Sequence, residues 1–380
     1  MKPTLLLSLF LATLHAASAA SPIADALKPF VEKGELAGAV ALVASKDKVL
    51  AVEAVGFADR TTKLPMKTDA LFWIASQSKP ITATAVMMLV DEGKLNLDDA
   101  VEKYLPEFKG QELDAGKDAD GKPILKAAAH PITVREVLSH TSGLPFKSKA
   151  EEPTLDSLPL RDAVTSYAKT PLTFEPGTKY TYSNAGINTA ARLIEVLTGK
   201  SYEAFMDERL LHPLGMKDTT FWPTKEQLTR LATPHKPNAA NTGLETTTIG
   251  QLQYPLDERK KRYPMPAGGL FSTAADVAKF CQMMLNGGQL NGKRYLSEKA
   301  VKELTRRQTP ETLKESYGLG FSVSPGGFGH GGALATNMNI DPARGLITVW
   351  LVQHQGFPGE GAKAQGAFRK AAEEQFAKKP

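Results

Sequence analysis

Three serine–lysine pairs in the sequence have a spacing that allows nucleophilic catalysis. A serine hydroxyl becomes a good nucleophile when a base within hydrogen-bond reach accepts its proton. Residues three apart on a helix share one face, with about 5–6 Å between their β-carbons, so a neutral lysine at this spacing is such a base. The pairs are Ser45 with Lys48, Ser76 with Lys79, and Ser166 with Lys169. Because this spacing is common by composition alone, the surrounding sequence must discriminate between them.

The context of each pair favours Ser76 and Lys79. Ser45 lies at a strand-to-turn corner among charged residues, and Ser166 lies late in a short helical run, where the negative end of the helix dipole keeps a lysine protonated. Ser76 instead follows the apolar run 71–75 and opens a helical run. The positive end of that helix, together with burial, disfavours a protonated Lys79. A capping serine followed by a snorkelling lysine is the competing interpretation of this pair alone.

A second candidate is Tyr182-Ser183-Asn184, the only Tyr-x-Asn in the chain. A nearby cationic lysine lowers the pKa of a tyrosine and allows it to shuttle a proton. An asparagine two residues later offers both a donor and an acceptor to a substrate carbonyl or amide. Taken alone, the motif is equally typical of a loop tyrosine followed by a turn asparagine.

A third candidate is His330-Gly331-Gly332-Ala333, which follows a glycine-rich segment. Glycines at the start of a strand allow a ligand to approach the backbone closely, and the exposed edge then supplies a backbone N–H. His354-Gln355-Gly356 fits the same pattern. If the last hairpin pairs evenly about Ala343, His330 falls near Gly356 and both histidines approach one end of the sheet. We favour His330 over His354.

The elements that must position these residues come from both ends of the chain. Strand-like runs occupy 37–45 and 48–58 near the start, and 321–324, 333–340 and 346–353 near the end, before a closing helix at 361–378. Helical patterns dominate between them, at 81–91, 135–139, 188–197 and 274–285, with Thr133 and Thr273 as N-caps. The segment 109–122 is rich in glycine and charge and is predicted to be a surface loop.

This pattern predicts an α/β (α+β) fold with a mixed, mainly antiparallel sheet from both chain ends, flanked by helices, and an inserted helical lobe. We expect one catalytic domain over 21–380. Its sheet lobe covers about 21–78 and 292–380, and its helical lobe covers about 79–291.

The first twenty residues are predicted to be a secretory signal peptide. Lys2 gives a positive start, 5–14 is an apolar run, and Ala17-Ser18-Ala19 is a small-residue cleavage site. The run is shorter than the roughly 20 residues that span a bilayer. We therefore expect an exported protein, periplasmic or extracellular, without stable membrane insertion.

Composition argues against several function classes. The net charge is only +5, and the basic run Arg259-Lys260-Lys261-Arg262 is interpreted as a solvated loop rather than a nucleic-acid site. The single cysteine, Cys281, lies in an apolar helical pattern and is expected to be a small buried residue, so no internal disulfide forms. The seven histidines lack zinc-ligand spacing, and we predict no metal site.

Together and in this order, the three motifs resemble the serine β-lactamase and penicillin-binding superfamily, in particular class C β-lactamases, family VIII carboxylesterases and D-alanyl-D-alanine carboxypeptidases. The similarity runs over nearly the whole mature chain. Besides the motifs, it rests on three stretches, Phe72-Trp73-Ile74-Ala75-Ser76, 132–145 (ITVREVLSHTSGLP) and 266–273 (PAGGLFST).

The resemblance implies an active site in the cleft between the sheet and the helical lobe. It implies Ser76 as the nucleophile that is acylated, Lys79 as its partner and Tyr182 as the proton shuttle. Asn184, His330 and Gly332 would bind the substrate, and the backbone N–H groups of Ser76 and Ala333 would form the oxyanion hole. No cofactor is required.

One departure from class C β-lactamases bears on the substrate. Those enzymes carry Lys-Thr-Gly where this chain has His330-Gly331-Gly332. A histidine of ordinary pKa is mostly neutral near pH 7, and Gly331 offers no side-chain donor, which weakens recognition of a β-lactam carboxylate. Lys147 is able to restore a charge, so both substrate classes stay open.

The leading hypothesis is a carboxylesterase-like hydrolase with weak or no β-lactamase activity. The alternatives are a class C-type β-lactamase, a D-alanyl-D-alanine carboxypeptidase or D-aminopeptidase, and a non-catalytic penicillin-binding sensor. The partner is a small-molecule ester, β-lactam or D-amino-acid peptide, and the oligomeric state stays open. Acyl-group preference is expected to depend on the loops 146–158 and 231–263.

Overall fold

A seven-stranded antiparallel sheet is assembled from both ends of the chain. The computed structural model describes residues 21–377, so the predicted signal peptide at 1–20 lies outside the described residues. The strand order is β12 (Ser322–Ser324), β13 (Gly327–Gly331), β14 (Asn337–Asp341), β15 (Leu346–Leu351), β1 (Gly38–Ala44), β2 (Val49–Asp59) and β3 (Leu64–Pro65), which places the last strand beside the first. The predicted mainly antiparallel sheet from both termini, flanked by helices, is confirmed.

The strands of this sheet and of four small two-stranded ladders have the following bounds: β1 Gly38–Ala44, β2 Val49–Asp59, β3 Leu64–Pro65, β4 Phe72–Trp73, β5 Glu112–Lys117, β6 Pro123–Ala127, β7 His235–Pro237, β8 Leu244–Thr246, β9 Phe271–Ser272, β10 Gln289–Leu290, β11 Lys293–Arg294, β12 Ser322–Ser324, β13 Gly327–Gly331, β14 Asn337–Asp341 and β15 Leu346–Leu351.

The helices have the following bounds: α1 Pro22–Glu32, α2 Ser78–Asp91, α3 Val134–Ser139, α4 Leu160–Ala168, α5 Asn184–Thr198, α6 Tyr202–Met206, α7 His212–Leu214, α8 Lys225–Leu228, α9 Ala274–Leu285, α10 Glu298–Thr305 and α11 Ala364–Phe376. Thr133 and Thr273 cap α3 and α9 as predicted. Every helix within residues 21–377 is too short or too polar to cross a bilayer.

Strand β1 lies at the centre of the sheet and is buried on both faces. Successive strand side chains point to opposite faces. Ala39, Ala41 and Val43 therefore pack with residues of α1 and α11, whereas Val40 and Leu42 pack in the main core, where α9 covers the sheet. This two-sided burial explains why β1 is an uninterrupted apolar run instead of an alternating one.

Helix α2 is buried along almost its whole length, from Ser78 to Leu89. A helix that is apolar all round belongs in the interior of a protein. It therefore provides a rigid, water-excluded support for the residues at its N-terminus, which include Lys79.

The glycine-rich segment before His330 forms a strand, which differs from the prediction of a strand over 333–340. β13 covers 327–331, a turn follows at 332–335, and β14 begins at Asn337. A β-carbon at Gly327 or Gly329 would lie 2.1 Å from a backbone oxygen of β14. Glycine is thus what allows β13 and β14 to pair so closely.

Two charged segments also differ from expectation. The predicted loop 109–122 contains β5, which pairs with β6 in an exposed hairpin. Because most side chains of this hairpin are exposed, its sequence lacks the alternation that marks a strand. In the basic run, Arg262 is buried against Asp156 instead of solvated, and Arg259 lies over the Trp222 ring.

Candidate active site

Ser76 lies in a single 3-10 turn between β4 and α2. The turn covers Ala75–Gln77, and α2 continues directly from it, so the spacing between Ser76 and Lys79 spans one helical turn. Ala75 has φ of +47°, a left-handed conformation that is strained for a residue with a β-carbon. Such strain concentrates at functional sites, and here it immediately precedes the candidate nucleophile.

Two segments hold the backbone that leads to Ser76. On one side, the Trp73 indole N–H donates to the Gly268 carbonyl at 2.7 Å, and the Ile74 N–H donates to the Leu270 carbonyl at 3.0 Å. On the other side, the Thr336 hydroxyl donates to the Ile74 carbonyl at 3.3 Å. Ser76 is therefore fixed between the segment 266–272 and the turn after β13.

Lys79 is completely buried, and its amine lies within hydrogen-bond distance of three oxygens. The Nζ atom lies 3.1 Å from Ser76 Oγ, 2.8 Å from Asn184 Oδ1 and 2.7 Å from the Ala267 carbonyl oxygen. Burial lowers the pKa of Lys79 well below its ordinary value, because an ammonium ion is poorly solvated there. The neutral amine is thus the favoured form.

These contacts orient the lone pair of a neutral Lys79. A neutral amine has two N–H groups and one lone pair. The Asn184 amide oxygen and the Ala267 carbonyl are acceptors only, so they take the two N–H groups. The lone pair then points to the remaining neighbour, the Ser76 hydroxyl, which donates its proton. The geometry is that of a general base poised on a nucleophile.

A chain of buried hydrogen bonds fixes Ala267. Its N–H donates to Asn188 Oδ1 at 3.1 Å, and the Asn188 amide donates to the Tyr167 hydroxyl at 2.9 Å. Tyr167 in turn donates to Glu151 at 2.6 Å. Ala267, whose carbonyl accepts a hydrogen bond from Lys79, is therefore held by a network that reaches from α5 to the loop 146–158.

Tyr182 lies beside Ser76 and Lys79. The Lys79 Nζ atom is 4.5 Å from the centre of the Tyr182 ring. Burial raises the pKa of Tyr182, and a hydrogen bond with the Ser76 side chain offsets part of this rise. The sequence-based expectation of a lowered pKa is therefore wrong for this state, because a neutral Lys79 supplies no positive charge.

Asn184 is the first residue of α5 and is almost fully buried. Ser183 caps this helix, accepting from the Gly186 N–H at 3.0 Å and donating to the Pro145 carbonyl at 2.6 Å. Since the Asn184 oxygen accepts a hydrogen bond from Lys79, the Asn184 NH₂ group remains as a hydrogen-bond donor for a substrate carbonyl.

His330 lies on β13 with both ring nitrogens occupied. Nδ1 is 2.6 Å from the Gly331 carbonyl, so Nδ1 carries the proton, and Nε2 accepts from the Tyr317 hydroxyl at 2.9 Å. Burial lowers the pKa of His330 to about 3. His330 is thus neutral, and both of its ring nitrogens have partners within the protein, whereas its contact with a substrate stays a prediction.

His354 lies away from these residues. Its Nε2 accepts from the Ala37 N–H at 3.1 Å, and its ring stacks on Phe357. The predicted pairing of His330 with Gly356 is wrong, because His330 pairs with Met338 and Met338 with Val349. The turn at 332–335 places His330 on β13, which pairs with β14 and not with β15.

Gly332 allows the turn after β13 to approach Ser76. A β-carbon on Gly332 would lie 2.5 Å from the Ile74 carbonyl oxygen and 3.3 Å from the Ala75 β-carbon. The Gly332 N–H is occupied by the Thr336 carbonyl at 2.8 Å. Ala333 follows in the exposed part of the turn. The Ala333 N–H is therefore better placed than the Gly332 N–H to bind a substrate oxygen.

The other serine–lysine pairs lie in different surroundings. Ser45 Oγ accepts from the Lys48 N–H inside the β1–β2 turn, and Ser166 Oγ donates to the Ala163 carbonyl. Lys48 and Lys169 are both exposed. Within residues 21–377, no group of three or more histidine, cysteine or acidic side chains is arranged to hold a metal ion.

Several residues of the site are not singled out by motif spacing. Ala267 acts through its backbone, and Asn188 contacts it from the second turn of α5. His140 and Tyr317 pack their rings 4.6 Å apart, next to Tyr182 and His330. Ala267 and His140 lie inside the stretches that carry the family resemblance, which was the available signal. For Asn188 and Tyr317 there was none.

The comparison with protein families agrees with this geometry. The family model named Beta-lactamase matches residues 23–373. The chain belongs to the β-lactamase family. Within this family it is a serine hydrolase by fold and by relatives, and the predicted resemblance is confirmed.

Three relatives of this β-lactamase family member are informative. Protein Rv1367c of Mycobacterium tuberculosis is 32% identical over 364 residues, covering 86% of this chain and 88% of the relative. The structure of EstCE1, described as a hydrolase with promiscuous acyltransferase activity, has a TM-score of 0.75 at 25% identity and covers 92% and 97% of the two chains. D-amino acid amidase from Ochrobactrum anthropi SV3 has a TM-score of 0.70 at 24% identity, covering 93% and 98%.

Because two buried histidines have lowered pKa values, we expect this hydrolase to lose stability in acid. The pKa values of His330 and His354 are lowered to about 3, mainly by burial. Between pH 6.5 and 3 the unfolded chain binds protons at these positions and the folded chain does not. Stability is therefore highest above pH 6.5. Below this pH, each of the two histidines lowers the free energy of unfolding by roughly 1.4 kcal/mol for every unit that the pH falls. Urea unfolding at pH 7.5, 5.5 and 4.5 measures this loss.

His354→Gln is the matched variant for this measurement. Its amide oxygen replaces Nε2 as the acceptor for the Ala37 N–H but does not titrate. The free energy of unfolding of the variant should depend less steeply on pH than that of the wild type. Identical slopes for both proteins would show that His354 is not held neutral by the fold.

Proposed function

We propose that this protein is a carboxylesterase-like hydrolase that cleaves uncharged esters through an acyl-enzyme on Ser76. The observation that carries the proposal is the buried, neutral Lys79 whose lone pair faces the Ser76 hydroxyl at 3.1 Å. The predicted signal peptide at 1–20 supports action outside the cytoplasm.

Acylation begins when Lys79 takes the Ser76 proton and Oγ attacks the ester carbonyl carbon. The carbonyl oxygen becomes an oxyanion and accepts hydrogen bonds from the N–H groups of Ser76 and Ala333. As the tetrahedral intermediate collapses, the bond from carbon to the alcohol oxygen breaks. The proton on Lys79 passes through the Tyr182 hydroxyl to this oxygen, and a neutral alcohol leaves.

Deacylation repeats these steps with water. Lys79 and Tyr182 together accept a proton from the water molecule, whose oxygen attacks the acyl carbon. The same backbone N–H groups stabilise the second oxyanion. When the intermediate collapses, Ser76 Oγ leaves and regains its proton, the acid is released, and Lys79 is again neutral. The raised pKa of Tyr182 suits a shuttle that holds its proton between transfers.

The charge of the site favours an uncharged substrate. At the position where class C β-lactamases carry a lysine, His330 is neutral and both of its nitrogens have partners. Lys147, the residue expected from the sequence to restore a charge, pairs with Glu152 at 3.5 Å. A β-lactam carboxylate therefore lacks a dedicated charge-assisted hydrogen bond, worth roughly 1–3 kcal/mol.

A substrate panel tests this proposal. We expect kcat/KM for a p-nitrophenyl acyl ester to exceed that for nitrocefin by about 10-fold or more, since 1.4 kcal/mol corresponds to a factor of ten. Both activities should disappear in Ser76→Ala. Faster turnover of nitrocefin would instead assign a β-lactamase. A stable penicillin adduct on Ser76 without turnover of any substrate would assign a penicillin-binding sensor.

A second candidate is hydrolysis of D-amino-acid amides or peptides. The Asn184 NH₂ group is a suitable donor for the carbonyl of a substrate amide. The fold is shared with a D-amino acid amidase. Release of D-alanine from a D-alanyl dipeptide, lost in Ser76→Ala, would favour this activity over ester hydrolysis.

A further inference from the structure

His140 contacts the segment that carries Tyr182 at three points. Its carbonyl accepts from the Thr181 N–H at 3.0 Å, and its Nδ1 accepts from the Ser183 N–H at 3.2 Å. Its ring lies 4.6 Å from the Tyr182 ring. Both neighbours of Tyr182 in the chain are therefore tied to one residue, and the tyrosine ring rests on the same side chain.

The backbone of His140 makes this arrangement unusual. It ends α3 in the left-handed conformation, with φ of 62° and ψ of 29°. This region favours glycine, and among other residues it favours asparagine, aspartate and histidine. His140, whose side chain has a hydrogen-bond acceptor close to the backbone, stands at a position where glycine would be the least strained residue.

The protonation state of His140 follows from its contacts. Because Nδ1 accepts an N–H, the proton of the neutral ring is on Nε2, which is buried without a partner among the described residues. An unsatisfied buried N–H is a cost that an apolar side chain would avoid. Retaining an imidazole here indicates a specific task for the ring and its Nδ1 atom.

We propose that His140 is a positioning residue that sets the location of the Tyr182 hydroxyl relative to Ser76. It does so by fixing the two peptide N–H groups on either side of Tyr182 and by supporting its ring. The consequence for catalysis rests on the proposed function, in which Tyr182 shuttles the proton. His140 itself is 1% exposed, so in this proposal it acts through Tyr182 and not on the substrate.

Three variants separate the ring, its acceptor and the backbone. His140→Gly keeps the left-handed backbone without strain but removes the ring. His140→Asn also tolerates this backbone, and its Oδ1 replaces Nδ1 as the acceptor for the Ser183 N–H. His140→Ala lacks the acceptor, as His140→Gly does, and adds backbone strain. The difference between these two variants therefore gives the cost of the strain.

We expect His140→Gly to lower kcat for ester hydrolysis by about 10- to 100-fold with KM nearly unchanged, as for a displaced catalytic group. His140→Asn should recover most of this loss, although it lacks the ring. If His140 only stabilised the fold, His140→Gly and His140→Asn proteins of equal thermal stability would have the same kcat. Wild-type kcat in His140→Gly, or no recovery in His140→Asn, overturns the proposal.

Crystal structures of the variants test the inference without relying on activity. The Tyr182 hydroxyl should move away from Ser76 Oγ in His140→Gly and stay in place in His140→Asn. An unmoved Tyr182 in His140→Gly overturns the inference. If Tyr182 moves as expected but Tyr182→Phe hydrolyses esters as fast as the wild type, the positioning role holds and the proposed role of Tyr182 fails.

Discussion

Replacing Lys79 with methionine is expected to reduce the rate of Ser76 acylation by on the order of 10³-fold, the usual contribution of a general base. Methionine has a similar length and an apolar character, so it fits the buried space that Lys79 occupies. It cannot accept the serine proton. Stopped-flow acylation by a p-nitrophenyl ester, or labelling by a fluorophosphonate, measures the rate directly.

Lys79→Arg should fail as completely as Lys79→Met. A guanidinium remains protonated in proteins, so it has no lone pair to offer Ser76. Both variants lose the base, whereas only Lys79→Met also loses the N–H donors, so the comparison separates these two effects. Lys79→Met should remain folded near neutral pH, whereas Lys79→Arg buries a permanent cation and is expected to be less stable. Circular dichroism measures the folded fraction of each variant before the rates are compared.

Lys169→Met is the matched control, since Lys169 follows Ser166 at the same spacing but is exposed. Its acylation rate should equal that of the wild type. If Lys79→Met retained more than about a tenth of the wild-type rate, a contribution far below that of a general base, another residue would have to activate Ser76. Tyr182 would then be the first candidate, because its hydroxyl interacts with Ser76.

Features that depend on local sequence were predictable in this hydrolase. The strands β1 and β2 and the helix α9 follow directly from apolar patterns, and α9 covers 274–285 as expected. The Ser76–Lys79 pair was selected from three by its position after an apolar run and at the start of a helix. Both signals act within one or two turns of the chain.

Features that depend on distant contacts were not predictable. Lys79 is held by Ala267, which lies 188 residues away in sequence, and no spacing rule connects them. The partners of His330 show the same limit. Its burial and its contact with Tyr317 arise from β13 forming a strand, whereas the sequence had predicted a strand only from 333 onward.

The motifs led to two expectations for Lys79 that exclude each other, a neutral base beside Ser76 and a cation beside Tyr182. A lysine neutral enough to act as a base is not a cation that lowers the pKa of a neighbouring tyrosine. The structure resolves this conflict in favour of the neutral amine, since burial lowers the pKa of Lys79 and raises that of Tyr182.

Replacing Arg262 with methionine is expected to reduce the free energy of unfolding by about 3–5 kcal/mol, the cost of breaking a buried ion pair by removing one partner. Arg262 Nε donates to Asp156 Oδ2 at 2.6 Å, and the two side chains are 2% and 0% exposed. The guanidinium also donates to the carbonyls of Phe221 and Leu256. The substitution leaves the buried Asp156 carboxylate without its charged partner, with the Gln253 N–H as its remaining donor, and removes the guanidinium from two carbonyls.

This ion pair joins the two loops on which acyl-group preference is expected to depend. Asp156 belongs to the loop 146–158, where Glu151 ends the hydrogen-bond chain from Ala267. Arg262 lies five residues before Ala267, whose carbonyl contacts Lys79. Loss of the pair should therefore also lower ester turnover, although Arg262 lies outside the group of residues around Ser76.

The matched control is Arg369→Met, because Arg369 is 46% exposed and lies 3.9 Å from Glu373. Removal of such a surface pair should change the free energy of unfolding by less than about 1 kcal/mol. Urea denaturation at pH 7.5 measures both variants. Equal, small losses for Arg262→Met and Arg369→Met would mean that water reaches Asp156 and that the two loops are held by apolar contacts instead. A large loss for Arg262→Met alone would show that a residue from a basic run, expected from its sequence to be solvated, supports the interior of the site.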